Sequence, residues 1–420
     1  MKSISLIEKR IIACSIFLML LFLHFFGKSI FSISFLNPSL ILLAYLLFAL
    51  LYLKADKSKQ YTSYETNIVV SFLIGFLTIA AGYNKFKEAI DSLSVFDSYS
   101  DILTQLITQA NWFLNGIFPY QEVSSPNFFH KPFPVYMPLH WGPLTIAIKL
   151  NHDVRWIGFF ALAFAYGLWG IFYFRRTAFS IFSIINFFIP SLVFLSFMYK
   201  DKIYAVTIET LIVSYYLILL LGLLSKNNLI IAIGISLCLL SRYTLLFWMP
   251  LFAIVFYFEN SKMANIKLWL IVLFAVLFIY VIPFLSHDTS IFLKGISYHN
   301  KAVVDEIRGY GTPLTSYTFL DKIHFAEFFK SLINSSDYAY TAKVIRAIQL
   351  GVMFLVNIIG LVIYFSFRKS FDANNFLAVF LIIFLAMFFL FSPLTYFYYL
   401  MTPLFLTGFY ISYRNIVSKA

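Results

Sequence analysis

Residues 156–174, WIGFFALAFAYGLWGIFYF, form a run of nineteen uncharged and mostly apolar residues that is followed at once by Arg175 and Arg176. A helix that crosses a bilayer needs about 20 predominantly apolar residues. Basic residues in short loops mark the cytoplasmic side of such a helix. The run therefore predicts a transmembrane helix with its basic end in the cytoplasm, and the rest of the chain repeats this pattern.

The composition agrees with a membrane protein, because 61% of the 420 residues are apolar and 12% are charged. Ordinary soluble proteins have about 45–50% apolar and about 25% charged residues, so a soluble globule could not bury this much apolar surface. The net charge of +12 would suggest nucleic acid in a soluble protein. Here the basic residues lie mostly between apolar runs, so we expect contacts with membrane lipids and no nucleic-acid partner.

Apolar runs recur along the whole chain and predict an all-α fold, a polytopic membrane bundle of about 12 transmembrane helices in one integral-membrane domain, residues 1–420. The predicted spans are residues 10–27, 36–53, 67–83, 156–174, 178–198, 204–224, 228–241, 243–258, 268–285, 345–367, 374–391 and 396–413. Ser241 and Arg242 separate the seventh and eighth runs, which could otherwise form one long helix.

The basic residues of the short loops all fall on one side of the predicted bundle, together with both termini, which places the termini in the cytoplasm. Two long polar stretches, residues 84–155 and 286–344, then form the first and second extracytoplasmic loops. This topology predicts a multi-pass protein of a bacterial plasma (inner) membrane. Cys14 and Cys238 lie inside apolar runs and indicate neither a disulfide framework nor a zinc site.

The first long loop contains apolar residues at helical spacing between Leu103 and Leu114, which predicts an amphipathic helix on the membrane surface that ends at Gly116. Asp97 and Asp101 stand four residues apart near its start. Either carboxylate could cap the helix. A carboxylate that is partly desolvated at the membrane boundary could also act as a general base toward a hydroxyl.

The same loop resembles the first-loop pattern of the GT-C membrane glycosyltransferases. In that pattern an acidic residue opens an amphipathic helix that ends in a Gly-x-x-Pro-Tyr turn, here Asp101, Gly116 and Pro119-Tyr120. The stretch Tyr136-Met137-Pro138-Leu139 is similar to the family's Tyr-x-Pro segment.

The resemblance continues in order through residues 200–224, 227–252, 282–300 and 392–405. Residues 227–252 resemble the family's Gly-rich span, which ends in a Lys and a Pro separated by seven residues, with Arg242 in the Lys position and Pro250 closing the span. The chain departs from the family in two ways, since two additional spans precede the first loop and Ile102, not an acid, follows Asp101. Asp97 and Asp101 therefore remain alternatives for the acidic residue.

The resemblance implies inverting transfer of a sugar from a polyprenyl-phosphate donor to a hydroxyl of a glycan, lipid or protein acceptor. Asp101 or Asp97 would be the base. The donor phosphate would be held by basic residues near the outer face, for which the candidates are Arg242, Lys202, Lys200, His299, Lys301 and Arg308. Tyr120, Tyr136 and His140 are candidates for the acceptor side. No cofactor is specifically indicated, and a divalent metal remains an open requirement.

Arg242 is the preferred phosphate ligand, because a charged side chain between two apolar runs costs about 2.5 kcal/mol or more unless a partner or a water-filled cavity receives it. Glu209 could pair with Arg242 or Lys202, which would be a structural role. A membrane polysaccharide polymerase or ligase and a lipid or solute transporter are the alternative functions. Motifs of nucleotide-binding enzymes and of serine hydrolases do not occur in the sequence.

Overall fold

A computed structural model describes residues 6–30, 35–53, 64–94, 101–123, 132–177, 180–199, 203–308, 324–394 and 396–417. All regular secondary structure in these residues is helical. The α-helices are α1 (Leu6–Ile30), α2 (Leu36–Tyr52), α3 (Ile68–Ala80), α4 (Tyr83–Asp91), α5 (Asp101–Leu114), α6 (Pro138–Trp141), α7 (Leu144–Lys149), α8 (Arg155–Phe174), α9 (Ile181–Phe187), α10 (Ser191–Tyr199), α11 (Ile203–Val206), α12 (Glu209–Ser225), α13 (Asn228–Leu239), α14 (Met249–Glu259), α15 (Lys262–Val276), α16 (Ile291–Arg308), α17 (Ala326–Ile333), α18 (Tyr338–Phe367), α19 (Ala373–Leu390) and α20 (Met401–Val417).

Five helical stretches of the described residues are long and apolar enough to cross a membrane. They are Ile68–Asp91, Arg155–Phe174, Lys262–Leu285, Tyr338–Phe367 and Ala373–Leu390. The bent pair α9 and α10 would make a sixth, and α2, α12, α13 and α14 are shorter apolar helices. The all-helical class and the long apolar helices are thus confirmed, whereas the count of twelve spans stays a prediction.

The surfaces of these helices fit a lipid environment better than water. On α3, for example, Val69, Val70, Leu73 and Leu77 are all exposed. Soluble monomers seldom expose contiguous apolar patches of more than a few hundred Å². Several long apolar helices with exposed apolar faces therefore indicate a membrane protein.

One predicted span is interrupted in the structure, and a predicted break between two others is confirmed. Residues 178–198 form α9 and α10, which meet at an angle of 45° near Pro190, because a proline removes a backbone donor and clashes with the preceding turn. Residues 228–258 form α13 and α14, joined by a 3₁₀ helix, Tyr243–Phe247, for which Arg242 is the N-cap. The predicted break at Ser241 and Arg242 is confirmed.

Helices α3 and α8 pack closely against each other, and small residues make this approach possible. A Cβ atom added at Gly75 would lie 2.2 Å from the carbonyl oxygen of Tyr166, and one at Gly170 would lie 2.2 Å from that of Ser71. Small residues let helix backbones approach closely in membranes, where van der Waals contact and not water exclusion drives association.

The prediction that the first-loop helix lies on the membrane surface is wrong. In α5 the residues from Ile102 to Ile107 are all buried, and so are Gln109 and Ala110. The helix is therefore enclosed by protein, with α6 and α7 packed against it. Its predicted end is confirmed, since Gly116 follows with a φ of +71°, a left-handed conformation that glycine adopts without steric cost.

The second long polar stretch, residues 286–344, contains α16, α17 and the first turns of α18. Helix α16 is amphipathic, because Ile291, Val303 and Ile307 are buried while Lys294 and Lys301 are exposed. Both α16 and α17 pack against α18, and so the described helices of this stretch lie against the bundle.

Candidate functional site

A buried ion pair joins Arg242 and Glu209. The two terminal nitrogens of Arg242 donate to the two carboxylate oxygens of Glu209, with distances of 2.9 Å to Oε1 and 2.7 Å to Oε2. The Glu209 side chain is fully buried, whereas 14% of the Arg242 side chain is exposed. Two parallel hydrogen bonds give such a pair a fixed geometry as well as energy.

Several helix ends meet around this ion pair. Glu209 begins α12, where a carboxylate is favoured by the helix dipole. Thr402, in the first turn of α20, donates to Oε1 of Glu209 over 3.4 Å. The guanidinium carbon of Arg242 lies 5.6 Å from the ring centre of Tyr399, in the 3₁₀ helix Phe397–Leu400. The sequence analysis did not single out Thr402 or Tyr399, because neither residue type is unusual in an apolar run.

The ion pair lies at the end of α12 and α13 that is remote from their connecting turn at Lys226 and Asn227. At about 1.5 Å per residue, the 12 residues of α13 extend about 18 Å, which is well short of the roughly 30 Å of a bilayer core. If the turn lies at one membrane surface, Arg242 lies inside the apolar thickness. A helix as short as α13 would then leave room within the bilayer thickness for other parts of the chain beyond Arg242.

Leu139 and His140, near the end of the first long loop, pack against the backbone that precedes Arg242. The backbone N–H of Leu139 donates to the carbonyl of Leu240 over 2.8 Å, and the ring of His140 bonds through Nδ1 to the carbonyl of Ser241 over 3.3 Å. The hydroxyl of Tyr215 donates to the carbonyl of Leu139 over 3.0 Å. These bonds bring the loop residues into contact with the backbone that carries Arg242.

His140 is fully buried beside the ion pair, with the ring of Tyr136 edge-on at 4.8 Å. Burial, and then the nearby positive charge of Arg242, lower the pKa of His140 well below its usual range, so the ring is neutral. Because the carbonyl of Ser241 can only accept, Nδ1 carries the proton and Nε2 is an acceptor. Nε2 has no hydrogen-bond partner among the described residues.

Tyr120 and Tyr136 lie in the same cluster of side chains. The hydroxyl of Tyr120 donates to the carbonyl of Tyr136 over 3.1 Å and accepts from Nε1 of Trp141 over 3.4 Å. The ring of Trp141 also lies 5.4 Å from that of Phe113 on α5. The structure therefore brings together all three predicted acceptor-side residues and Arg242.

The predicted residues of the second outer loop are more dispersed. Phe292 in the first turn of α16 contacts Tyr243, with ring centres 5.1 Å apart. His299, Lys301 and Arg308 lie farther along α16, about 10–24 Å from Phe292 along the helix axis, and all three are exposed. Arg308 lies over the ring of Tyr338 at 5.7 Å.

Asp97, Lys200 and Lys202 lie outside the described residues, as does His130. Asp101 is the first residue of α5. Within the described part of the chain, no group of three histidine, cysteine, aspartate or glutamate side chains is placed to hold a metal ion.

The sequence analysis missed one feature of α5. Gln109 is fully buried and Gln105 is 3% exposed. Both amide atoms of Gln109, and the carbonyl oxygen of the Gln105 amide, lack a hydrogen-bond partner among the described residues. Polar residues between the apolar positions of an amphipathic helix ordinarily face outward, so the sequence gives no signal that these two are buried.

The site thus consists of a buried ion pair at converging helix ends, with the end of the first long loop packed over it. Comparison of the chain with protein-family models, with curated proteins and with solved structures finds no match.

Proposed function

We propose that this protein is a membrane-embedded inverting glycosyltransferase that moves a sugar from a polyprenyl-phosphate donor to an acceptor hydroxyl at the extracytoplasmic face. The observation that carries the proposal is the packing of the first-loop residues Tyr136 and His140 onto the interrupted helix at Arg242. A polar loop segment, a cation and a short apolar helix pair meet there. A lipid phosphate and a water-soluble acceptor could meet at such a place.

Arg242 would bind the donor phosphate while paired with Glu209. A guanidinium has five N–H groups, and Glu209 accepts from two of them. The exposed part of the Arg242 side chain supports access to the others. Positive charge at this position would stabilise the phosphate as it leaves.

Asp101 would supply the base. Asp101 begins α5, and Phe113, about 18 Å farther along the same helix, contacts Trp141 of α6. The carboxylate would take the proton of the acceptor hydroxyl as that oxygen bonds to the anomeric carbon. The bond from this carbon to the phosphate breaks in the same step, and polyprenyl phosphate leaves.

The test replaces Asp101 with asparagine, which keeps the side-chain volume and a capping oxygen but cannot take the proton at neutral pH. General base catalysis is typically worth about 10²–10⁴ in rate. We expect Asp101→Asn to lose sugar transfer by that factor, measured with radiolabelled donor lipid in proteoliposomes, while donor binding persists. Asp97→Asn is the matched control and should cost less than tenfold.

The reverse pattern, with Asp97→Asn inactive and Asp101→Asn active, would assign the base to Asp97. If both variants transfer sugar at the parent rate, the general-base mechanism is wrong. A polymerase or ligase would be recognised in the same assay by its product, since a polymerase makes long chains and a ligase transfers a preassembled glycan, whereas a glycosyltransferase adds single sugars.

A transporter is the second candidate, and the interrupted helices around a buried ion pair favour it. Discontinuous helices and intramembrane charges often line a transport path. Proteoliposomes without donor lipid separate the two functions. A transporter would move a labelled solute or lipid across the bilayer under these conditions, whereas the enzyme proposed here would not.

A further inference from the structure

The amide side chains of Gln105 and Gln109 lie four residues apart and therefore on one face of α5, one turn above the other. Phe113 continues this row. Buried polar groups in proteins are nearly always hydrogen-bonded, so two adjacent amides with atoms that lack a partner in the described part of the chain need an explanation. In the same helix, the half-buried hydroxyl of Thr108 has a local partner, because it donates to the carbonyl of Thr104 over 2.7 Å.

The side chains of this row change from buried to exposed toward the end of α5. Gln105 and Gln109 are 3% and 0% exposed, whereas Phe113 is 49% exposed. Four residues of helix correspond to about 6 Å, so the amide of Gln109 begins about one turn inside the open end. Phe113 contacts the ring of Trp141, next in sequence to His140. The unpartnered amides thus lie beside the aromatic cluster of the candidate site and close to a surface from which a ligand could enter.

An amide offers both a donor and an acceptor, and the carbonyl and N–H₂ groups of two amides one turn apart match neighbouring hydroxyl groups on a ring. Polar groups of this kind next to aromatic side chains are typical of pockets that bind small polar molecules. Gln105, Gln109 and Phe113 are uncharged, and the position one turn before Gln105 in this row is Asp101, the candidate base.

We infer that Gln105 and Gln109 bind the hydroxyl groups of a sugar ring and so select the sugar that the enzyme handles. The inference rests on the proposed function. The ring belongs either to the donor lipid or to the acceptor, and the chemistry of recognition is the same in both cases.

The experiment measures thermal unfolding of the full chain in detergent micelles for the parent, Gln105→Met, Gln109→Met and the control Thr108→Val. Methionine keeps the length of glutamine but removes the amide. Thr108→Val removes a hydroxyl that already has a partner in its own helix. The probes are decaprenyl phosphate alone, decaprenyl phosphate carrying mannose, glucose or arabinose, and the methyl glycosides of these three sugars.

Without a probe, both methionine variants should melt at or above the temperature of the parent, because they remove polar atoms that have no partner. With a probe, at least one sugar-bearing compound should stabilise the parent and the control. Both methionine variants should need at least tenfold more of this compound for the same shift. Decaprenyl phosphate alone should stabilise all four proteins equally. A response to the sugar lipids identifies the donor sugar as the ligand, and a response to the glycosides identifies the acceptor.

An equal response of the parent and the methionine variants to the sugar-bearing compound would overturn the inference and leave the proposed function standing. Lower melting temperatures of both methionine variants without a probe would show that the amides stabilise the fold, and would also overturn it. A parent that responds to decaprenyl phosphate but to no sugar compound overturns the inference alone. A parent that responds to no probe and transfers no sugar contradicts the proposed function as well.

Discussion

Among single residues, Glu209 and Arg242 place two opposite charges inside the described core. Each would be strongly disfavoured inside the bundle without the other, and the bidentate geometry offsets this cost. Sequence alone left Glu209 two possible partners, Arg242 and Lys202. The structure shows the pair with Arg242, because α12 and the 3₁₀ helix after α13 begin at the same level of the bundle.

Replacing only one member of this pair should destabilise the protein strongly. Arg242→Met leaves the Glu209 carboxylate buried and unpaired, which typically costs about 3–5 kcal/mol. The double variant Arg242→Met/Glu209→Leu replaces the pair by apolar side chains and should recover most of the melting temperature. Thermal unfolding in micelles measures both effects. Equal melting temperatures of the parent and Arg242→Met would mean that the ion pair adds nothing to stability.

The same variants separate the structural role of Arg242 from binding of the donor phosphate. Arg242→Lys keeps a point charge but loses the planar fork, so it should retain more donor use than Arg242→Ala. The double variant should fold and yet fail to bind decaprenyl phosphate. If the folded double variant binds this lipid as tightly as the parent, Arg242 is structural only.

Among the helices, the close approach of α3 and α8 depends on residues without side chains. Gly75→Ala adds a methyl group where a backbone carbonyl lies 2.2 Å away, so the helices must separate. Overpacking typically costs about 1–3 kcal/mol, and we expect a clear fall in the melting temperature.

Gly351→Ala on α18 is the matched control for Gly75→Ala. A Cβ atom at Gly351 meets no other atom within 4 Å, and alanine is a better helix former than glycine. The control should therefore melt at or slightly above the temperature of the parent. A loss of stability in Gly351→Ala equal to that in Gly75→Ala would contradict the packing argument.

For the whole molecule, the distribution of Lys and Arg predicts that residues 84–155 and 286–344 lie outside the cytoplasm. In a variant whose two native cysteines are replaced by alanine, Ser125→Cys and Ser335→Cys should react with a membrane-impermeant thiol reagent in intact cells. Ser370→Cys, exposed at the opposite end of α18, should react only after lysis. The opposite pattern of labelling would reverse the orientation and remove the extracytoplasmic reaction.

Local properties of the sequence were enough to predict the helical class, most helix positions, the break at Arg242 and the helix end at Gly116. Apolar run length, an interrupting charge and a glycine each act within a few residues. The environment of α5 could not be predicted in this way, because its polar residues at helical spacing fit a surface helix equally well. Only the tertiary structure shows that α6 and α7 enclose it and leave Gln109 buried.

Tertiary structure likewise decided which residues come together in the candidate site. Tyr120, His140 and Arg242 are separated by up to 122 positions, and no local pattern specifies which helix ends lie at the same level. The early end of α13 contributes to this, because it places the backbone of Ser241 where His140 can bond to it. Composition thus determined that the chain is a bundle of apolar helices, while helix lengths and packing decided which polar residues meet inside it.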